Sequence, residues 1–240
     1  MDSAINEKDD KKRIPPHDAS HGGQIIRLDP NIINIACCFQ PERARVEHFI
    51  QHVYAETYGA MIGEHYPSLM SLRDGNDRIR AAAGFRMASR EKLFLEYYSN
   101  TPIEVELSRA WNKDVGRNQI IEIGHLAADG CGASILLFTA LARYLRKQGH
   151  AHVVVTGTST LRRYFKTIGL NSKILFDANP KHVPDQGASW GSYYATKPKV
   201  LAGDISSGCA RLEEFLARHH RRERHRLVTR LHYNLSDMRI

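Results

Sequence analysis

The stretch Gln119–Leu170, QIIEIGHLAADGCGASILLFTALARYLRKQGHAHVVVTGTSTLRRYFKTIGL, decides the fold. It begins with an apolar run, Ile120–Ala128, followed by a glycine-containing turn, Asp129–Gly132. An amphipathic helix pattern covers Ala133–Gln148, and a β-branched run covers Val153–Thr156. A short second helix pattern closes at Gly169. Strand, turn, helix, strand and helix at this spacing make a βαβ unit, with a crossover long enough for parallel pairing. Both strand runs are apolar on both faces, as buried parallel strands are.

Chemistry is expected at the turn. Gly130 and Gly132 accept positive φ and, without a Cβ, let the backbone approach a ligand closely. The helix that starts beside them presents unpaired N–H groups and the positive end of its dipole, a site for phosphate or pyrophosphate. Plain turn chemistry explains the same glycines. The dinucleotide fingerprint is excluded because no third glycine falls within Ser134–Leu137, and Walker A because no Gly-Lys-Ser/Thr follows.

Upstream, residues 1–22 are polar and charged and are expected to be a disordered tail. Ile25–Ile26 and Ile32–Ile35 suit edge strands around the Asp29-Pro30 turn. A helix with one apolar stripe (Val46, Phe49, Ile50, Val53, Tyr54, Tyr58) is predicted from Pro41 to about Glu64. Strands over Ser68–Leu72 and Ile79–Met87 are joined by Asp74-Gly-Asn-Asp77, a hairpin signal. Gly84 within the second marks a bulge or a close ligand approach. Short helices are predicted over Arg90–Tyr98 and from Thr101, with Glu104 completing a capping box. Downstream, Lys173–Phe176, Trp190–Ala195 and Val200–Ile205 are expected strands, and an arginine-rich helix runs from about Ala210 to Leu231. The domain boundaries drawn from this are 1–22, 23–208 and 209–240.

With 240 residues the chain has ample length to bury a core. Its longest apolar run falls far short of the ~20 residues a spanning helix needs, and its charged N-terminus is no secretory signal. The expected setting is cytoplasmic. Cys37, Cys38, Cys131 and Cys209 have neither disulfide-framework nor zinc spacing, so no metal is expected. Cys131 is either a small turn residue or a thiol activated by the helix N-terminus. Half of the net charge of +8 falls at the end: residues 211–240 hold eight arginines against four acids. Such a helix attracts acidic partners.

Several motifs resemble the thermostable hemolysin family: Leu93-Phe-Leu-Glu-Tyr-Tyr98, Pro102-Ile-Glu104, Arg117, Ile121-Glu-Ile-Gly-His-Leu-Ala-Ala128, Thr156-Gly-Thr158, Gly169-Leu170 and Trp190-Gly-Ser-Tyr-Tyr194. The resemblance covers roughly residues 54–203. Glu122–Asp129 is also similar to the Glu-x-x-Arg-hydrophobic-Ala-Val-Asp stretch of acyl-homoserine-lactone autoinducer synthases, with His125 in place of Arg. Both likenesses imply a GNAT-like α/β (α+β) fold: a mixed, mostly antiparallel sheet with helices on both faces and a splayed central parallel strand pair. They imply acyl transfer rather than pore formation. The donor would be acyl-CoA or the phosphopantetheine of an acyl carrier protein, and the acceptor a small-molecule amine.

On that resemblance Leu126, Ala127 and Ala128 line the pantetheine arm, while Gly130, Cys131, Gly132, Ala133 and Ser134 hold the phosphates. Small residues packing under a helix are the plainer reading of the same positions. Glu122 is a carboxylate in an apolar strand, where burial raises its pKa towards that of a general base, unless it merely pairs with Arg86 or Arg117. His125 titrates near neutrality when exposed. Glu96 is a candidate for the acceptor amine, and Arg117 for a carboxylate on it. Trp190, Tyr193 and Tyr194 wall an acyl tunnel or pack a strand end. Tyr164 stands one position from the general-acid tyrosine of many GNAT enzymes, whose place is held by Phe165. The basic C-terminal helix is expected to dock an acidic carrier protein. The rival readings are a thioester- or lipid-binding protein without turnover, a nucleic-acid binder, which no interleaved aromatics support, and a membrane-active hemolysin.

Overall fold

The computed structural model describes residues 32–37, 40–130 and 132–220. The expected tail over 1–22, the burst Ile25–Ile26, Cys131 and the six arginines beyond residue 220 lie outside the described residues.

Seven strands form one sheet: β1 (Ile32–Cys37), β2 (Ser68–Arg73), β3 (Ile79–Met87), β4 (Ile120–Ala128), β5 (His152–Gly157), β6 (Lys173–Asp177) and β7 (Lys199–Asp204), in the order β1-β2-β3-β4-β5-β7-β6. Every pairing is antiparallel except β4 with β5. The helices are α1 (Glu42–Tyr58), α2 (Ile103–Trp111), α3 (Ala133–Lys147), α4 (Ser159–Thr167) and α5 (Ile205–His220).

Alternation along the strands sorts the core into two faces. Met70, Leu72, Ala81, Ala83, Phe85 and Ile121 pack under α3 and α5. Leu69, Ala82 and Ala127 pack under Val46, Ile50 and Tyr54 of α1. Ile120, Val154, Val200 and Ala202 meet Ile103 and Leu107 of α2. The crossover helix α3 ends as its sequence demands: Gly149 takes φ +83°, and the N–H groups of Gly149 and His150 reach back to Arg146 and Leu145.

Four local expectations are corrected. Helix α1 stops at Tyr58 rather than near Glu64, because Gly59 turns left-handed (φ +65°) and the Tyr58 carbonyl accepts from Ser192 N at 2.8 Å. Trp190–Ala195 forms two 3-10 turns, Ala188–Trp190 and Tyr193–Thr196, not a strand, since Gly187, Gly191 and Lys197 all break extended geometry with positive φ. The turn before α2 is 3-10 (Phe94–Tyr98), and no Thr101–Glu104 capping box forms. Instead the Glu96 carboxylate accepts from Ile103 N at 3.1 Å. Finally, α5 begins at Ile205, and Cys209, Leu212 and Leu216 are buried in the core.

Candidate active site

Strands β4 and β5 pair only from Ile120/His152 to Ile123/Val155. Beyond that, β4 follows β3 and β5 follows β7, and the two part. The cause is local. Ala82 faces Ala127 and Gly84 faces Gly124, so two steps on β3 match three on β4. The extra residue is His125, held at φ +49°, a bulge that bends β4 away from β5.

A cavity of about 520 Å³ opens at this fork. Its walls are α1 (including Tyr54 and Tyr58), the end of β4 (Gly124–Ala128), the turn at Gly130, the start of α3 (Ser134) and the start of α4 (Thr158, Leu161, Tyr164). Gly130 and Gly132 take φ +90° and +70°, and α3 has no side chain capping its N-terminus. Ser134 Oγ and the Tyr164 hydroxyl lie 3.0 Å apart on the cavity wall. Phe165 turns instead into the core against Phe138.

His125 is 6% exposed, and its Nδ1 has no hydrogen-bond partner. The rings of Tyr54, His65, Tyr66 and Trp190 surround it with centroids 4.9–6.4 Å away. Burial, followed by the His65 and Arg86 charges, pushes its imidazole down to about 3. It is therefore neutral at physiological pH.

Glu122 is 1% exposed and lies two positions before Gly124 on the same face of β4. Its two oxygens accept from Phe94 N and Leu95 N, each at 2.9 Å. Arg86 Nε stands 3.4 Å away, an ion pair rather than a hydrogen bond. Burial raises the carboxyl to about 7 against the opposing pull of Arg86, both N–H groups and the Tyr66 hydroxyl. Glu122 is absent from the cavity wall. Tyr66 lies between it and the fork. A Cβ on Gly124 would meet the Tyr66 hydroxyl at 2.2 Å, and one on Gly84 would meet its ring at 2.7–2.8 Å. The paired glycines of β3 and β4 thus form a slot for one tyrosine, capped by the Arg86 guanidinium 4.3 Å from the ring centroid. The close approach expected at Gly84 is made by this side chain.

Glu96 and Arg117 are committed to each other. Arg117 Nη1 and Nη2 donate to Glu96 at 2.7 and 2.8 Å, Nη1 also to Glu104 at 2.7 Å, and Nε to the Ala88 carbonyl at 2.7 Å. Burial pushes Glu96 up, but Arg117 and the N–H groups of Leu93 and Ile103 outweigh it and hold the carboxyl below its ordinary value. Neither residue lines the cavity. Of the aromatic trio, Tyr193 does, and its hydroxyl donates to the Thr156 carbonyl at 3.2 Å. Trp190 and Tyr194 pack against its ring, tilted and edge-on, with centroids 5.3 and 5.4 Å away. Sequence reasoning passed over Tyr66; the facing glycines Gly84 and Gly124 are the signal that points to it.

A second, apolar cavity of about 180 Å³ lies on the α3 face among α3, α5, β5 and β7. Leu126 and Phe138 line both cavities, so the two adjoin. Among the described residues no cluster of three or more His, Cys, Asp or Glu could hold a metal, and no helix is long and apolar enough to cross a membrane.

The mixed sheet and its forked parallel pair define the class: a GNAT-like α/β fold. The chain is similar to the acyl-homoserine lactone synthase LasI (TM-score 0.52, 14% identity, 73% of this chain and 90% of that one). It is similar to BjaI, a CoA-dependent acyl-homoserine lactone synthase solved with SAM and isopentyl-CoA (0.52, 13%, 84% and 93%). It is similar also to FeeM, an N-acyl amino acid synthase from uncultured soil microbes (0.51, 13%, 75% and 94%). No curated protein matches the sequence. The thermostable hemolysin family model matches residues 38–209, and the chain belongs to that family.

Proposed function

We propose that this chain is a cytoplasmic N-acyltransferase that moves a fatty acyl group from an acyl-CoA or acyl carrier protein thioester to a small-molecule amine. The observation that carries the proposal is the fork of β4 and β5, because it opens a cavity beside strand backbone that the other strand leaves unpaired. A pantetheine arm is narrow and amide-rich, and a slot edged by free N–H and C=O groups suits it. Leu126, Ala127 and Ala128 would flank the arm, and Gly130–Ser134 at the start of α3 would hold its phosphate. Strand N–H groups aimed at the thioester carbonyl would stabilise the oxyanion formed on attack. An ammonium must lose a proton before it attacks, and a carboxyl near 7 is matched to that task. The neutral His125, on the cavity wall, accepts or donates a hydrogen bond there without bringing a charge.

The apolar second cavity suits an acyl tail, each buried methylene contributing about 0.8 kcal/mol. Helix α4 carries Arg162, Arg163 and Lys166 and no acid, beside the mouth, and so favours a polyanionic donor. The basic segment beyond residue 220 is a second dock for a carrier protein. Arg117 and Glu96, bound to each other, are proposed to hold the 3-10 turn that presents Phe94 N and Leu95 N to Glu122, rather than to touch the acceptor.

The test is thiol release from acyl-CoA and from acyl carrier protein, with and without a pool of amines, followed by mass spectrometry of the products. Amine-dependent release with an N-acyl product is expected. A thioester that stays bound without turnover would return the chain to the binding-protein reading.

A further inference from the structure

Among the described residues, the wall of the larger cavity carries no arginine and no lysine. Three guanidiniums held on or beside β3 and β4 are bound elsewhere. Arg80 pairs with Asp129 at 3.1 Å, Arg86 with Glu91 at 3.2 Å and Glu122 at 3.4 Å, and Arg117 with Glu96 and Glu104 at 2.7 Å. The carboxylates on the wall are Asp129, which Arg80 offsets, and Glu56, exposed on α1 and without an ion pair among the described residues. The last turn of α1 holds no basic residue. Of the two imidazoles on the wall, His52 is exposed and His125 is buried and neutral.

Rings and uncharged polar groups make up much of the rest. Phe49, Tyr54, Tyr58, Phe138, Tyr164 and Tyr193 line the cavity. Tyr58 lies 5.7 Å from Tyr54 and 5.2 Å from Tyr193, centroid to centroid. Two buried hydrogen-bonding atoms of wall residues have no partner, His125 Nδ1 on β4 and Thr156 Oγ1 on β5, one from each arm of the fork. An aromatic face attracts an ammonium and repels a carboxylate. A carboxylate drawn from water against a wall without a cation loses its hydration and gains no partner. The anion site at the start of α3 and the cations of α4 beside the mouth are already taken by the donor in the acyl-transfer reading.

We infer that the acceptor is a primary amine without an acid group, an alkyl- or arylalkylamine rather than a free amino acid. The inference rests on the acyl-transfer reading and narrows its acceptor. The free amine nitrogen bonds to the thioester carbon, the C–S bond breaks, and the proton lost from nitrogen ends on the leaving sulfur. An amide and a free thiol are the products, and no further reactant enters.

Matched acceptors offered to the full chain with an acyl-CoA donor test this: phenylalanine against phenethylamine and phenylalanine amide, and leucine against isoamylamine and leucine amide. Thiol release and product mass should show the amines and amides acylated with kcat/KM about 100-fold above the acids. Calorimetry of the same compounds reads the wall apart from turnover, and should show the amines binding and the acids not. Glu56→Gln should raise KM for the amines about threefold at unchanged kcat, and Glu56→Arg should narrow the amine-to-acid ratio about tenfold. Amino acids that bind or react within about threefold of their amines, or a ratio untouched by Glu56→Arg, would overturn the inference and leave acyl transfer standing. If the amines bind, the acids do not, and no donor yields a product, the preference of the cavity stands and the transferase reading falls. Amines that neither bind nor react would overturn both.

Discussion

Gly124→Ala is the sharpest perturbation of the slot between β3 and β4. The new methyl would sit 2.2 Å from the Tyr66 hydroxyl oxygen, 2.5 Å from Cζ and 2.7 Å from Cε2. The ring has nowhere to go, because the Cβ position of Gly84 lies 2.7–2.8 Å from its other end and Arg86 lies across it. Overpacking of this kind costs roughly 1–3 kcal/mol. A cost of about 2 kcal/mol should lower the melting temperature by about 6 °C in a chain of this size. Thermal or urea unfolding of Gly124→Ala, Tyr66→Phe and the double variant measures how strongly the two positions are coupled. The hydroxyl removed in Tyr66→Phe is the atom that the Gly124→Ala methyl would strike, so the two single costs should exceed that of the double by roughly 0.5–3 kcal/mol. A Gly124→Ala protein that melts within a degree or two of wild type, or a cycle that is additive, would refute the idea that the two glycines exist to seat this tyrosine.

Glu122→Gln should lower kcat by 100-fold or more, and the wild-type rate should climb as pH rises through about 7, where the carboxyl becomes a base; a pH–rate profile checks both. Stability should move the opposite way. The folded carboxyl keeps its proton to about 7 against an ordinary 4.5, so the folded chain binds the extra proton in between. Unfolding free energy should therefore fall by roughly 3 kcal/mol as pH rises across that window, and Glu122→Gln should flatten the fall. Arg117→Ala leaves the buried Glu96 facing Glu104 without a cation and should cost roughly 3 kcal/mol, read as a drop of 6–12 °C in melting temperature. Ala142→Phe would fill the second cavity and should shift acyl preference to shorter donors, with each two-methylene step lost worth roughly 15-fold in kcat/KM.

What could be read in advance divides along local and non-local lines. The span Gln119–Leu170 foretold β4, α3, β5 and α4 to within a residue or two, because periodicity and glycine caps act over a few residues. The edges were less legible. Gly59 ends α1 early through contacts with Ser192, more than 130 positions away, and the apolar look of Trp190–Tyr194 gave no hint that flanking positive-φ residues would fold it into 3-10 turns. Glu104 illustrates the hazard of a local motif: a capping box was available to it, but Arg117 offered a charge, and the charge won. At the site, Glu122 and His125 stood out as polar residues in an apolar strand. That His125 would be the bulge itself, and that Tyr66 would fill the slot between Gly84 and Gly124, depends on register between β3 and β4, which one strand's sequence does not encode.

The roof of the larger cavity is α1, and its last turn is tied down by the loop from Asp185 to Thr196: Ser192 N bonds the Tyr58 carbonyl, Met61 N bonds the Ser189 carbonyl, and Gly191 is so close to Tyr58 that a methyl there would touch its oxygen at 2.1 Å. Ceiling and clasp must therefore lift as one piece. A molecule lodged against Tyr54 and Tyr58 would weigh that piece down, and the slowed solvent exchange of the Met61 and Ser192 amides would announce its arrival before any product is sought.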